Sequence, residues 1–141
     1  MASERKRLRR GLLERLGSLL MSGIFVHGGW HQFREPGGRA DKAANLGVPQ
    51  PEQMVRLNGA AMMLGGAALG LGIKPKLASL VLIGSLVPTT MAGHRFWEEE
   101  SEQGRRAQET QFLKNLGLMG GLLFLLSKRR SVRVPVEEDD D

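Results

Sequence analysis

Two stretches of the chain, residues 57–73 and 77–93, carry no charged side chain, and only Lys74-Pro75-Lys76 separates them. A helix of that length reaches about 25 Å, a little short of the roughly 30 Å hydrocarbon core of a bilayer. Two further apolar runs open and close the chain, and none of the four shows the charged stripe, repeated every turn, of a soluble amphipathic helix. The pattern predicts an all-α transmembrane four-helix bundle with helices over residues 11–33, 53–73, 77–97 and 111–127. Long basic side chains at the run ends, Arg15, Arg56, Lys74, Lys76, Lys114 and Lys128, make up the missing length by reaching outward to water.

The segments between the runs are polar. Residues 34–52 are rich in Gly and Pro and read as a loop, residues 98–109 read as a charged loop, and the Lys-Pro-Lys turn is short enough to make its two helices antiparallel neighbours. Residues 1–10 form a basic N-terminus and residues 128–141 a charged tail. The first run resembles a secretory signal, but bulky HGGWHQF follows it where small residues would be cleaved, so it reads as an uncleaved signal-anchor. Twelve basic residues fall on the side of the two termini and eight on the other. That bias, densest before the first helix, predicts both termini in the cytoplasm and the long loops outside.

Overall composition alone would suggest something else. With 41% hydrophobic and 25% charged residues, a chain of 141 residues matches an ordinary soluble domain; what departs from that class is the segregation of the apolar residues into runs. A net charge of +5 invites a nucleic-acid reading, yet the basic residues flank apolar runs instead of forming one patch with interleaved aromatics. There is no cysteine, which removes disulfides and any thiol chemistry of the chain's own.

Polar residues gather at one depth. The first helix ends with His27, Trp30, His31 and Arg34 on one face, the second begins with Arg56 and Asn58, the third ends with Thr90, His94, Arg95 and Trp97, and the fourth begins with Lys114 and Asn115. Ionisable groups at membrane depth are costly and mark function. These eleven positions other than Arg34 are therefore the candidate ligand-binding set, a polar outer vestibule above an apolar inner half; the competing reading is an interfacial girdle that only positions helices. No metal-ligand set stands out. Haem ligation by His27, His31 or His94 is disfavoured, because the bundle is short and offers no basic pocket for propionates. Gly66-x3-Gly70 and Gly117-x3-Gly121 have the spacing that lets helix backbones touch, and Met54, Met62, Met63, Met91 and Met119 read as adaptable packing. His31-x-Phe33-x-Glu35 recurs as His94-x-Phe96-x-Glu98, which suggests two parallel-related helical hairpins.

The ending of the third helix, VPTTMAGHRFWEE, together with FLKNLGLMGGLL in the fourth and GGWHQF in the first, resembles the DoxX family of small bacterial four-helix membrane proteins. The resemblance implies an integral inner-membrane protein, linked in some members to quinone-dependent oxidation of sulfur compounds or to oxidoreductase assemblies. Two functions follow as expectations. In one, a quinone head docks in the vestibule, with a His moving a proton, Arg56 or Lys114 stabilising negative charge, and a soluble or membrane redox partner supplying electrons. In the other, the protein is a non-enzymatic scaffold or small-lipophile binder.

Overall fold

The structure is a computed structural model that describes residues 2–128; all of the charged tail read from the sequence except Lys128 lies outside the described residues. Among those residues the chain is all helical. Its elements are α1 (Ala2–Arg34), α2 (Gly37–Asn45), α3 (Pro51–Leu71), α4 (Pro75–Gly93), a single 3-10 turn (Phe96–Glu98) and α5 (Glu102–Ser127).

The four long helices run alternately up and down. Along α1 and α3, Gly29 meets Gly59 and Met63, Phe25 and Val26 meet Gly66, and Ser22 meets Gly70, so the two lie antiparallel with their backbones in contact. A Cβ placed on Gly29 would stand 2.6 Å from the Gly59 carbonyl oxygen, and one on Gly59 would stand 2.7 Å from the Gly29 oxygen. No side chain fits there. The turn into α4 uses two left-handed residues, Gly72 at φ 72° and Lys74 at φ 41°, and then Pro75, whose missing N–H costs nothing in a first helical turn. The core lies where α3, α4 and α5 converge on α1: Phe25, Met62, Leu69, Ala78, Leu82, Leu86 and Leu122 are buried there.

The α1–α5 seam is different. Those helices touch sparsely, through Met21 against Gly121 and an ion pair of Lys128 with Glu14 at 2.8 Å. Of the two small-residue pairs read from the sequence, Gly66 and Gly70 therefore make the close approach. Gly117 faces open space, and Gly121 meets only the flexible end of Met21.

Several boundaries differ from the hydropathy reading, and each has a local cause. The 34–52 stretch holds a helix: Pro36 precedes α2, and Gly47 at φ 76° follows it, so the Gly and Pro that suggested a loop punctuate a run of Ala40, Lys42, Ala43 and Ala44. The start of α5 is capped by Ser101, whose hydroxyl accepts from the Gly104 N–H at 3.0 Å, and Glu102 pairs with Arg106 one turn on. That polar first part of α5 has no apolar period, which is why the sequence places the helix start near residue 111. Conversely α4 stops at Gly93, where the chain turns at His94. Among the described residues two helices, α3 and the α4 region, are long and apolar enough by length and composition to cross a membrane.

Candidate functional site

Pro88 inside α4 removes one backbone donor, and the polar layer of the molecule is built around it. The Thr89 hydroxyl donates to the Ser85 carbonyl at 2.8 Å while accepting from the Asn58 amide of α3 at 3.0 Å. Next to it, the Thr90 hydroxyl accepts from the Asn115 amide of α5 at 3.0 Å. Two asparagines on flanking helices thus clasp adjacent threonines on α4. Thr90 and Asn115 are both buried, so each would lose a partner it cannot replace from water.

On the side of this layer facing the α1–α5 seam lies a cavity of about 440 Å³. Its floor is apolar, made by Ile24, Phe25, Met62, Leu86 and Leu118. Above that floor stand His94, Lys114, Gln108, Gln111, Gln32 and Arg39, and among the described residues lining it there is no carboxylate. His94 Nδ1 lies 2.8 Å from Gln108 Oε1; with the amide oxygen accepting, Nδ1 carries the proton and the neutral ring offers Nε2 as an acceptor. Lys114 donates to Gln111 on its own helix. Gln32 is only 6% exposed, lines the cavity, and forms no side-chain hydrogen bond among the described residues. Its amide is free to meet a guest. The short helix α2 brings Arg39 to the rim, and Lys42 donates to the Gly93 carbonyl at 2.9 Å, which holds α2 to the last turn of α4 where a cation is favoured.

The residues anticipated from sequence divide into two groups. His94, Lys114 and Asn115 line the cavity, with Asn58 and Thr90 directly behind it. The α1 stripe does not join them. His27, Trp30 and His31 are exposed; the two imidazoles meet edge to face at 4.7 Å and the Arg34 guanidinium sits 5.1 Å above the Trp30 ring, all on the outside of α1. The convergence expected of His31 with His94 is therefore absent, because the i, i+3, i+4, i+7 face of α1 that carries the polar residues is not the face turned inward. The inward face carries Phe25, Gly28 and Gln32, spaced i, i+3, i+7. That spacing, in a helix whose Phe25 belongs in the core, is the signal that would have found Gln32.

Arg56 stitches α3 to the end of α1, donating to the Phe33 carbonyl at 2.6 Å and to the Glu52 carboxylate. Arg95 bonds the Met91 carbonyl and Glu98. Trp97 lies against Phe96 and Phe112 and remains half exposed, as does Trp30. Gln108, Thr89 and Arg39 were not anticipated as lining residues; the first lies in the polar turn of α5 and the last on α2, both read as loop.

A family model, DoxX, matches residues 11–95. The chain belongs to the DoxX family. DoxX membership and the two apolar helices together mark it as a membrane protein. The matched segment runs from α1 through the turn after α4, so the α5 wall of the DoxX cavity lies beyond it. Neither the curated proteins nor the solved structures yield a match.

Proposed function

We propose that this DoxX protein crosses the inner membrane four times and binds an amphipathic lipophile, head upward, in the cavity between α1 and α5. The cavity carries that reading: a donor set of Lys114, Arg39 and three glutamine amides, with the His94 imidazole beside it and no carboxylate, stands directly over an apolar floor. Sites of this kind hold an apolar body and fix its orientation through a few polar groups. The guest it suits has an apolar body and a head that accepts hydrogen bonds. A quinone meets both conditions: its carbonyl oxygens would accept from Lys114 and from Gln32 or Gln111, and its ring and tail would lie on Phe25, Leu86 and Leu118. Bound there, a quinone would supply two-electron redox chemistry, with His94 as the nearest group able to hold or pass a proton. The electrons would come from a partner protein.

Support for four crossings comes from what the bundle leaves uncovered. Leu12, Leu16 and Leu20 on α1, Leu57, Leu64 and Leu71 on α3, Leu80 and Val87 on α4, and Leu113, Leu123 and Phe124 on α5 are all exposed. An apolar surface on every long helix far exceeds what a soluble monomer shows. The half-exposed Trp30 and Trp97 stand near the same end of the bundle, where indoles favour the headgroup level. α3, at 21 residues, spans about 32 Å, the thickness of a hydrocarbon core. Both termini then face the cytoplasm, as the distribution of basic residues favours. A reporter active only outside the cytoplasm is expected to work when inserted at Gly38 and to stay silent when fused after Asp141; the opposite pattern would invert the molecule.

For the guest, a short-tailed benzoquinone is expected to bind the detergent-solubilised protein, measured by equilibrium dialysis, while the hydrocarbon lacking both carbonyls does not. Lys114→Leu removes a charge-assisted hydrogen bond, worth about 1.5–3 kcal/mol, and should weaken binding at least about tenfold. Binding that ignores Lys114→Leu would leave the cavity without a role. The outward His27, Trp30, His31 and Arg34 stripe supports a second reading for that face alone, as a girdle or a scaffold contact for another membrane protein.

A further inference from the structure

The α1–α5 seam opens twice. At the end opposite the polar layer it holds a second cavity of about 350 Å³, lined by Gly11, Glu14, Arg15 and Ser18 of α1, Leu69 to Gly72 of α3 and its turn, Pro75 and Lys76 of α4, and Leu125 and Lys128 at the end of α5. Arg15 of α1, Lys76 of α4 and Lys128 just past α5 line it together with one carboxylate, Glu14, which is taken up by Lys128 at 2.8 Å. Among the described residues neither Arg15 nor Lys76 has a carboxylate within ion-pair distance. The walls below are Leu69, Leu71 and Leu125, and Ser18 of α1 also lines the cavity.

From this arrangement we infer that the second cavity is a binding site for a phosphate ester group, taken from the headgroup of an anionic phospholipid of the cytoplasmic leaflet. Two uncompensated cations at the rim more than balance the single negative charge of a phosphodiester, Ser18 offers a hydroxyl donor, and the leucines below accept the first carbons of the acyl chains. Basic pockets between membrane helices on the cytoplasmic side recognise anionic headgroups in this way. The site differs from the upper cavity in what it selects. There, amides and one lysine meet an acceptor-headed guest from the outer side; here, clustered cations select net negative charge. Because the Glu14 carboxylate stands inside the cavity, its removal frees Lys128 and takes away a repulsion, so Glu14→Gln should bind the lipid more tightly than the parent.

The inference rests on the four-crossing reading, and the test separates the two. Full-length protein in nonionic detergent is titrated calorimetrically with dioctanoyl phosphatidylglycerol, dioctanoyl phosphatidylcholine and glycerol phosphate. Phosphatidylglycerol is expected to bind more tightly than phosphatidylcholine. Arg15 and Lys76 are exposed, so R15Q/K76Q should fold normally and lose roughly 30-fold in affinity for phosphatidylglycerol, about fivefold per basic group removed. R5Q/R9Q, which removes two exposed cations from the same end of α1 outside the cavity, should bind like the parent. Equal losses in the two double variants, or none in R15Q/K76Q, would overturn the site. Glycerol phosphate binding as tightly as the lipid, with the same loss in R15Q/K76Q, would keep the phosphate site and assign it to a soluble ester. A wrong topology would be seen in the reporter fusions and not in these titrations.

Discussion

A Gly59→Leu variant is expected to give no folded protein. At this position α1 and α3 touch backbone to backbone: a Cβ on Gly59 would lie 2.7 Å from the Gly29 carbonyl oxygen and 2.8 Å from the Phe33 nitrogen. Overpacking that neighbouring side chains can absorb costs about 1–3 kcal/mol. Here nothing can rotate away, since every close atom belongs to a main chain, and the helices must separate. Separation also breaks the Arg56 bond to Phe33 and the burial of Phe25 against Gly66. The total approaches the whole stability of a small domain, about 5–15 kcal/mol. Gly117→Leu is the matched control, because a Cβ there meets nothing within 4 Å. Size-exclusion profiles and melting curves in detergent compare the two. Equal behaviour of Gly59→Leu and Gly117→Leu would refute the packing described for α1 and α3.

Gly28→Phe should do the reverse, keeping the fold and abolishing occupancy of the upper cavity. Gly28 lines that cavity, and a Cβ added to it makes only an ordinary contact, 3.6 Å from the tip of Met62. A phenyl ring extending from that point takes the volume that a quinone ring would need, and its apolar surface suits the floor formed by Ile24, Phe25 and Leu118. Benzoquinone binding should fall below detection while the melting temperature holds or rises, since filling an apolar void restores dispersion contacts. Retained binding in a well-folded Gly28→Phe protein would move the ligand elsewhere.

The contrast between these glycines shows where the sequence is informative. Uncharged runs placed α3 and α4 closely, and the small-residue spacing of Gly66 and Gly70 found part of a helix contact, because both signals are local and periodic. Gly29 and Gly59 carry the tightest approach yet belong to no spaced pair within one helix; their partnership exists only across two helices. The same holds for the site. Asn115, Thr90, His94 and Lys114 stood out as polar groups at the end of apolar runs, and the fold brings them together. His31 stood out equally and faces away, because a rotation of one residue, about 100°, separates the inward and outward faces of a helix and residue type alone does not say which is which. Gln108 and Arg39 were hidden by the absence of apolar periodicity in segments that a capping serine and a terminal glycine turn into helices.

The cavity wall contributed by α5 has a consequence for inheritance. Residues 11–95, the portion that matches the DoxX model, build the glycine seam, most of the apolar floor and the polar groups Gln32, Arg39 and His94, whereas Gln108, Gln111, Lys114, Asn115 and Leu118 all lie beyond residue 95. The close helix contacts thus lie wholly within the matched segment, while the polar wall of the cavity is divided between that segment and α5. A lineage can revise the last helix, and with it half of the cavity's polar wall, while the contacts that hold the first three long helices together stay untouched.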